Sequence, residues 1–152
     1  MNEDFLDILE QLVAAGARFM VVGAHALAVH GFPRATGDLD LWIGPGDDNA
    51  RRVMAALVRF GAPVQSLGIS EDDLRTPGMV VQIGLPPRRI DVLTRATGVE
   101  FEAAWSTRVL HRVGEVQVPF ISRDMLIANK RATGRPRDLA DIAALEQDPG
   151  EA

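Results

Sequence analysis

The sequence predicts an α/β protein with a short mixed sheet flanked by helices. Three observations carry that expectation. Short apolar runs such as Phe19-Met20-Val21-Val22 and the alternating stretch Asp38 to Ile43 have the length and period of strands. Segments between such runs repeat their apolar residues every three or four positions, the period of one helix face. Met79 to Ile83 and Arg89 to Leu93 are joined by a turn at Pro86-Pro87, so they read as an antiparallel hairpin and the sheet is not wholly parallel.

Taken in order, Phe5, Ile8, Leu9, Leu12 and Val13 mark a first helix, with Gly16 where a helix C-terminal glycine belongs. The strand Phe19 to Val22 ends at Gly23. Ala24 to Val29 is a short helix closed by Gly31, and Pro33 prevents its continuation. Asp38 to Ile43 is a strand ended by Gly44-Pro45-Gly46. Asp47 or Asp48 then caps a helix whose stripe is Val53, Met54, Leu57 and Val58 and whose end is Gly61. Residues 62 to 78 carry only a helical turn around Ser70 to Leu74. After the 79–93 hairpin, a strand from Val109 pairs with Val116 to Ile121 across Gly114. Helices over about Arg123 to Ala132 and Pro136 to Leu145 close the chain, separated by Gly134. The total is five or six strands and four or five helices. A recurring Arg-Ala-Thr-Gly at 34–37, 95–98 and 131–134 has no fixed period and is not a repeat architecture.

With 152 residues, 47% hydrophobic and 24% charged, the chain suits one domain, 1–152, with the C-terminal helices (about 122–147) packing against its core. It has no cysteine, so disulfides and thiolate zinc sites are excluded and a reducing cytoplasm is the expected location. No apolar run approaches the roughly 18 residues that cross a bilayer, and the acidic Met1-Asn2-Glu3-Asp4 start does not read as a signal peptide. A net charge of −5 opposes broad non-specific nucleic-acid binding, although Lys130, Arg131, Arg135 and Arg137 form a local cation cluster suited to a phosphate-bearing ligand. Aromatics total only 5%, too few for an RNA surface built on stacking.

Asp38-Leu39-Asp40-Leu41-Trp42-Ile43 is the most informative stretch. Alternation puts Asp38 and Asp40 on one face, with Leu39, Leu41 and Ile43 on the other. Two carboxylates that close repel, and a hard divalent cation such as magnesium relieves them. In Arg89-Ile90-Asp91-Val92-Leu93, Asp91 lies opposite the apolar Ile90 and Val92. If the two strands are neighbours, three carboxylates converge and can hold two metals. An isolated Asp-x-Asp is more often a solvated strand face; the neighbourhood favours a site. Val21-Val22-Gly23-Ala24-His25 is a strand leading through glycine into a helix, where backbone N–H groups meet anions.

The segments Val22-Gly23-Ala24-His25-Ala26-Leu27, His30 through Asp40, Arg89 through Leu93, Leu126 through Lys130 and Gly134 through Asp141 resemble the DNA polymerase β-like nucleotidyltransferase superfamily. More narrowly, they resemble its AbiEii-type branch, known for bacterial toxin–antitoxin and phage-defence proteins. The resemblance implies a polymerase β palm-like nucleotidyltransferase fold. It implies that Asp38, Asp40 and Asp91 hold Mg2+ or Mn2+ and, with Lys130, form the catalytic set. It also implies that Gly23, Ala24, Arg34, Thr36, Lys130 and Arg137 bind nucleotide and phosphate, with Asp138 near them. Ala24 departs from the usual Gly-Ser or Gly-Gly turn and removes one phosphate hydrogen bond, worth about 1 kcal/mol.

The function so implied is transfer of a nucleoside monophosphate from a nucleoside triphosphate to an acceptor hydroxyl on RNA, protein or a small molecule. A cognate toxin or antitoxin protein is the implied partner. The alternative is a catalytically weak binding partner or antitoxin that keeps the fold. A plain α/β domain with solvated aspartates would bind no nucleotide with magnesium. His25 and His30, five apart, are expected as hydrogen-bonded structural residues rather than metal ligands, and His111 as a strand residue. Trp42 and Trp105 are expected to pack, although Trp42 shares the carboxylate face and can line the pocket.

Overall fold

The computed structural model describes residues 1–147. Its first half runs α1 (Glu3–Ala14), β1 (Phe19–Val22), α2 (Gly23–Val29), β2 (Asp38–Ile43), α3 (Asp47–Phe60), α4 (Val64–Leu67) and α5 (Glu71–Arg75). The second half runs β3 (Val80–Ile83), β4 (Arg89–Leu93), α6 (Phe101–Ser106), β5 (Val109–Val113), β6 (Val116–Phe120), α7 (Arg123–Thr133) and α8 (Pro136–Gln147). Six strands form one mixed sheet in the order β3-β4-β2-β1-β6-β5. β2 pairs antiparallel with β1 and parallel with β4, and β1 pairs parallel with β6. The two outer hairpins, β3–β4 and β5–β6, are antiparallel. This is the mixed sheet with flanking helices that the sequence predicts.

Local chemistry explains most boundaries. The Asn2 side chain accepts from Phe5 N at 2.9 Å and caps α1, which buries Phe5, Ile8, Leu9 and Leu12. Ser70 caps α5 in a reciprocal capping box with Asp73. Ser122 caps α7, and Gly134 ends it in the left-handed conformation. Leu126, Ile127, Ile142 and Leu145 carry α7 and α8 into the same core as β1, β2 and α1. His30 Nε2 stands 2.9 Å from Ile121 O and ties the end of α2 to the chain beyond β6. Among the described residues no helix is long and apolar enough to cross a membrane.

Several expectations need correction. α3 is capped by Gly46, not by Asp47 or Asp48, which lie in its first turn where negative charge favours the helix dipole. The buried side of α3 is Asn49, Ala50, Val53, Ala56 and Leu57, whereas Val58 is 56% exposed. Asn49 turns inward because its side chain clasps the two strands at one end of the β1–β2 pair, where Arg18 precedes β1 and Gly44 follows β2. It accepts from Arg18 N at 2.7 Å and donates to Arg18 O and Gly44 O at 3.0 and 2.9 Å. The helix count is higher than expected because α4 and α6 are too short to show a periodic pattern. α6 also decides the fate of Trp42: Phe101 stands edge-on to its ring at 5.3 Å, and Trp42 is fully buried rather than open to a pocket.

Candidate active site

The sheet register assembles the charged face. In the parallel β2–β4 pair, Asp40 lies opposite Asp91 and Asp38 opposite Arg89. Alternation then projects Asp38, Asp40, Arg89 and Asp91 from one face. In the antiparallel β1–β2 pair, Val22 lies opposite Asp40, so the next residue, Gly23, passes directly beside that carboxylate. Gly23 has φ +68°, and a Cβ there would collide with Asp40 Oδ2. A glycine is required at this turn both for its conformation and for the close approach.

Electrostatics in this cluster are unbalanced. Burial, then the negative charges of Asp91 and Asp38, and a hydrogen bond with Asp91 push the Asp40 carboxyl up to about 6, against a smaller opposing pull from Arg89. Burial also raises the Asp91 carboxyl, despite Arg89 beside it. Arg89 Nη2 donates to Asp38 Oδ2 at 2.8 Å and to Asp91 Oδ2 at 3.3 Å. Arg89 Nε stands 3.2 Å from Asp91 Oδ1, yet both atoms are buried without a hydrogen-bond partner. They are close enough for charge attraction and misaligned for a hydrogen bond. Asp40 carries no ion pair among the described residues. Among those residues, no group of three or more His, Cys, Asp or Glu side chains stands in a metal-holding geometry. Arg89 is what Asp38 and Asp91 share.

A pocket opens beside this face. Gly23, Ala24, Arg34, Ala35, Thr36, Asp38, Asp40, Lys130, Arg135, Arg137 and Asp141 line it. Thr36 shapes the entry to β2, because its hydroxyl accepts from Asp38 N at 3.2 Å and lies 3.3 Å from Asp38 O. The opposite wall comes from α7 and α8. Lys130 Nζ donates to Asp141 Oδ2 at 2.9 Å and stands 3.7 Å from Asp138 Oδ1. Arg34, from the loop before β2, pairs with the other oxygen of Asp141. Asp138 is 1% exposed and accepts from Thr133 Oγ1 (2.8 Å), Arg135 N (3.2 Å) and Arg135 Nε (2.6 Å). Burial works against its charge, but those hydrogen bonds outweigh it and hold the carboxyl well below the usual range. Arg137 lines the pocket, is exposed and has no ion pair among the described residues.

The structure therefore brings Gly23, Ala24, Arg34, Thr36, Asp38, Asp40, Lys130 and Arg137 to one pocket. Asp91 lies beside it, buried against Asp40 rather than in the pocket wall. His30 stands apart from the cluster, and His25 meets it only at the Asp38 backbone, its Nε2 buried without a hydrogen-bond partner. Burial, then the charge of the chain's N-terminus, lowers His25, while a backbone hydrogen bond with Asp38 opposes them. The sequence alone assigns no part to Arg89 or Asp141. Arg89 was within reach of the alternation argument, since residues 89 and 91 share a strand face. Asp141, three positions after Asp138 on a helix, gives no local sign that Arg34 and Lys130 converge on it.

A family model described as nucleotidyl transferase AbiEii toxin, type IV toxin–antitoxin system, matches residues 6–152. The chain belongs to this family. No curated protein matches it.

Proposed function

We propose that this member of the AbiEii nucleotidyl transferase toxin family transfers a nucleoside monophosphate from a nucleoside triphosphate to an acceptor hydroxyl on RNA, protein or a small molecule. One observation carries the reading. Asp38, Asp40 and Asp91 project from one sheet face, Asp40 in register with Asp91, beside a pocket walled by Lys130, Arg34 and Arg137.

The donor chemistry fits a hard divalent cation, Mg2+ or Mn2+. The three carboxylates offer only oxygen, Asp91 Oδ1 is buried without a hydrogen bond, and Asp40 carries no ion pair among the described residues. Asp38, Asp40 and Asp91 do not stand in a metal-holding geometry in this structure and would hold the ion after rearrangement; when bound, it would neutralise phosphate charge and favour the ionised form of an attacking hydroxyl. Lys130 and Arg137 supply positive charge to the triphosphate from the opposite wall, and Arg34 from the loop before β2. Gly23 and Ala24 let phosphate approach backbone N–H groups, and Thr36 orders the chain at that edge. Asp91, in register with Asp40 on that face, is placed to ligate the ion or to accept a proton from the acceptor hydroxyl. A cognate antitoxin as partner, a single domain over 1–152 and a cytoplasmic location belong to the same proposal.

Calorimetry with each nucleoside triphosphate, with and without magnesium, followed by transfer assays with labelled nucleotide, tests this reading. Magnesium-dependent binding and transfer abolished by Asp38→Asn with Asp40→Asn are expected. Transfer that survives the double substitution overturns the assignment. A second reading, a nucleotide-binding partner with little turnover, is favoured by Ala24, which supplies no hydroxyl to the phosphates. It predicts nucleotide binding without label transfer.

A further inference from the structure

Arg89 has no part in the reaction as described, yet it occupies the centre of the carboxylate face. It stands two residues before Asp91 on β4 and opposite Asp38 on β2. One guanidinium nitrogen bridges Asp38 and Asp91 at 2.8 and 3.3 Å. Its Nε and Asp91 Oδ1 face each other at 3.2 Å without a hydrogen bond, although both are buried. The bridge is therefore half made: one edge of the guanidinium is satisfied, and one oxygen of Asp91 stays available to another cation. The side chain is 29% exposed, so it has a route outward.

We propose that Arg89 is an internal counter-ion that competes with the divalent cation for Asp38 and Asp91. The nucleotide-free protein then binds such an ion weakly. A triphosphate changes the balance, because its oxygens give the planar guanidinium a second anion to pair with. Release of Arg89 frees Asp38 and Asp91, so nucleotide and cation strengthen each other's binding. The inference rests on the metal reading given under Proposed function, which it deepens.

Mn2+ binding, read from the loss of the free-ion paramagnetic resonance signal, tests it on the full chain. Arg89→Gln removes the competing charge and is expected to bind Mn2+ at least ~10-fold more tightly than the unsubstituted protein without nucleotide, the scale of one charge-assisted contact. A non-hydrolysable triphosphate is expected to close most of that gap. Arg89→Lys keeps the charge but not the bridging fork, and an intermediate gain is expected. If Arg89→Gln fails to fold by circular dichroism, Arg89→Lys carries the test, and unchanged affinity there overturns the proposal. Equal Mn2+ affinity in the unsubstituted protein and Arg89→Gln overturns the competition alone. No Mn2+ binding by either protein, with or without nucleotide, overturns the metal reading and the competition with it.

Discussion

Asp40 on β2 lies directly opposite Asp91 on β4 in the parallel register, so two carboxylates distant in the chain repel across one sheet face. The cost of that juxtaposition falls on Asp40, whose carboxyl is pushed up to about 6 by burial and then by its acidic neighbours.

A pH dependence with a definite sign follows. The unfolded chain ionises this group near pH ~4, and the folded protein only near about 6. Between those values the folded state holds more protons, so stability falls as pH rises. Asp40→Asn is expected to raise unfolding free energy by about 2 kcal/mol at pH 7.5 without divalent cation, with the gain vanishing near pH ~4. Urea titrations at both pH values measure it, and an unchanged midpoint at pH 7.5 counts against the repulsion.

Gly23→Ala places a methyl group against Asp40 Oδ2 in a backbone conformation with φ +68°. The expected cost is about 2 kcal/mol, from the conformation and the collision together. Because the turn and the carboxylate move together, nucleotide affinity is expected to fall more than stability. Gly31→Ala, where a Cβ meets nothing within 4 Å despite φ +104°, is the control. Equal losses at both positions would show that conformation alone matters.

Asp138 holds α7, the turn at Arg135 and the start of α8 together through a buried carboxylate. Asp138→Ala leaves Lys130 and Arg135 with fewer counter-charges and is expected to cost about 3 kcal/mol at neutral pH. The depressed proton affinity makes this stabilisation complete above pH ~4 and progressively lost in stronger acid. The difference between the two proteins should therefore shrink as pH drops below that value. A difference independent of pH would assign the cost to packing.

Lys130 is the single lysine among sixteen basic residues, and it is buried beside Asp138 and Asp141. Amine-directed reagents can therefore modify only this side chain and the N-terminal amine. Folded protein is expected to label at Lys130 several-fold more slowly than unfolded chain, with Asp141→Asn accelerating it and bound nucleoside triphosphate slowing it. Peptide mass spectrometry reads each rate. A rate at Lys130 equal to that of the unfolded chain rules out the buried pair.

Much of the fold was legible because its signals are local. Phe19 to Val22, Asp38 to Ile43 and Arg89 to Leu93 are short and apolar or alternating, each with a glycine or proline close to at least one end, and all three are strands. α6 was not legible, since Phe101–Ser106 is too short for a period, and its effect on Trp42 acts through a contact 59 residues away in the chain (101 against 42). Val58 followed the helical stripe and still faces solvent, because the path of neighbouring elements, not the stripe alone, determines which side is covered.

The candidate site divides in the same way. By itself, the sequence determined that Asp38 and Asp40 share a face, that Asp91 lies opposite its own apolar neighbours, and that Gly23 follows a strand. Those are properties of alternation and turn chemistry within a few residues. Only the tertiary structure decided that β4 lies beside β2, that Arg89 stands between Asp38 and Asp91, and that Arg34 reaches Asp141 across 107 positions. Periodicity records which way a side chain points. Which charges meet depends on strand order and helix packing, set by burial of the whole apolar core.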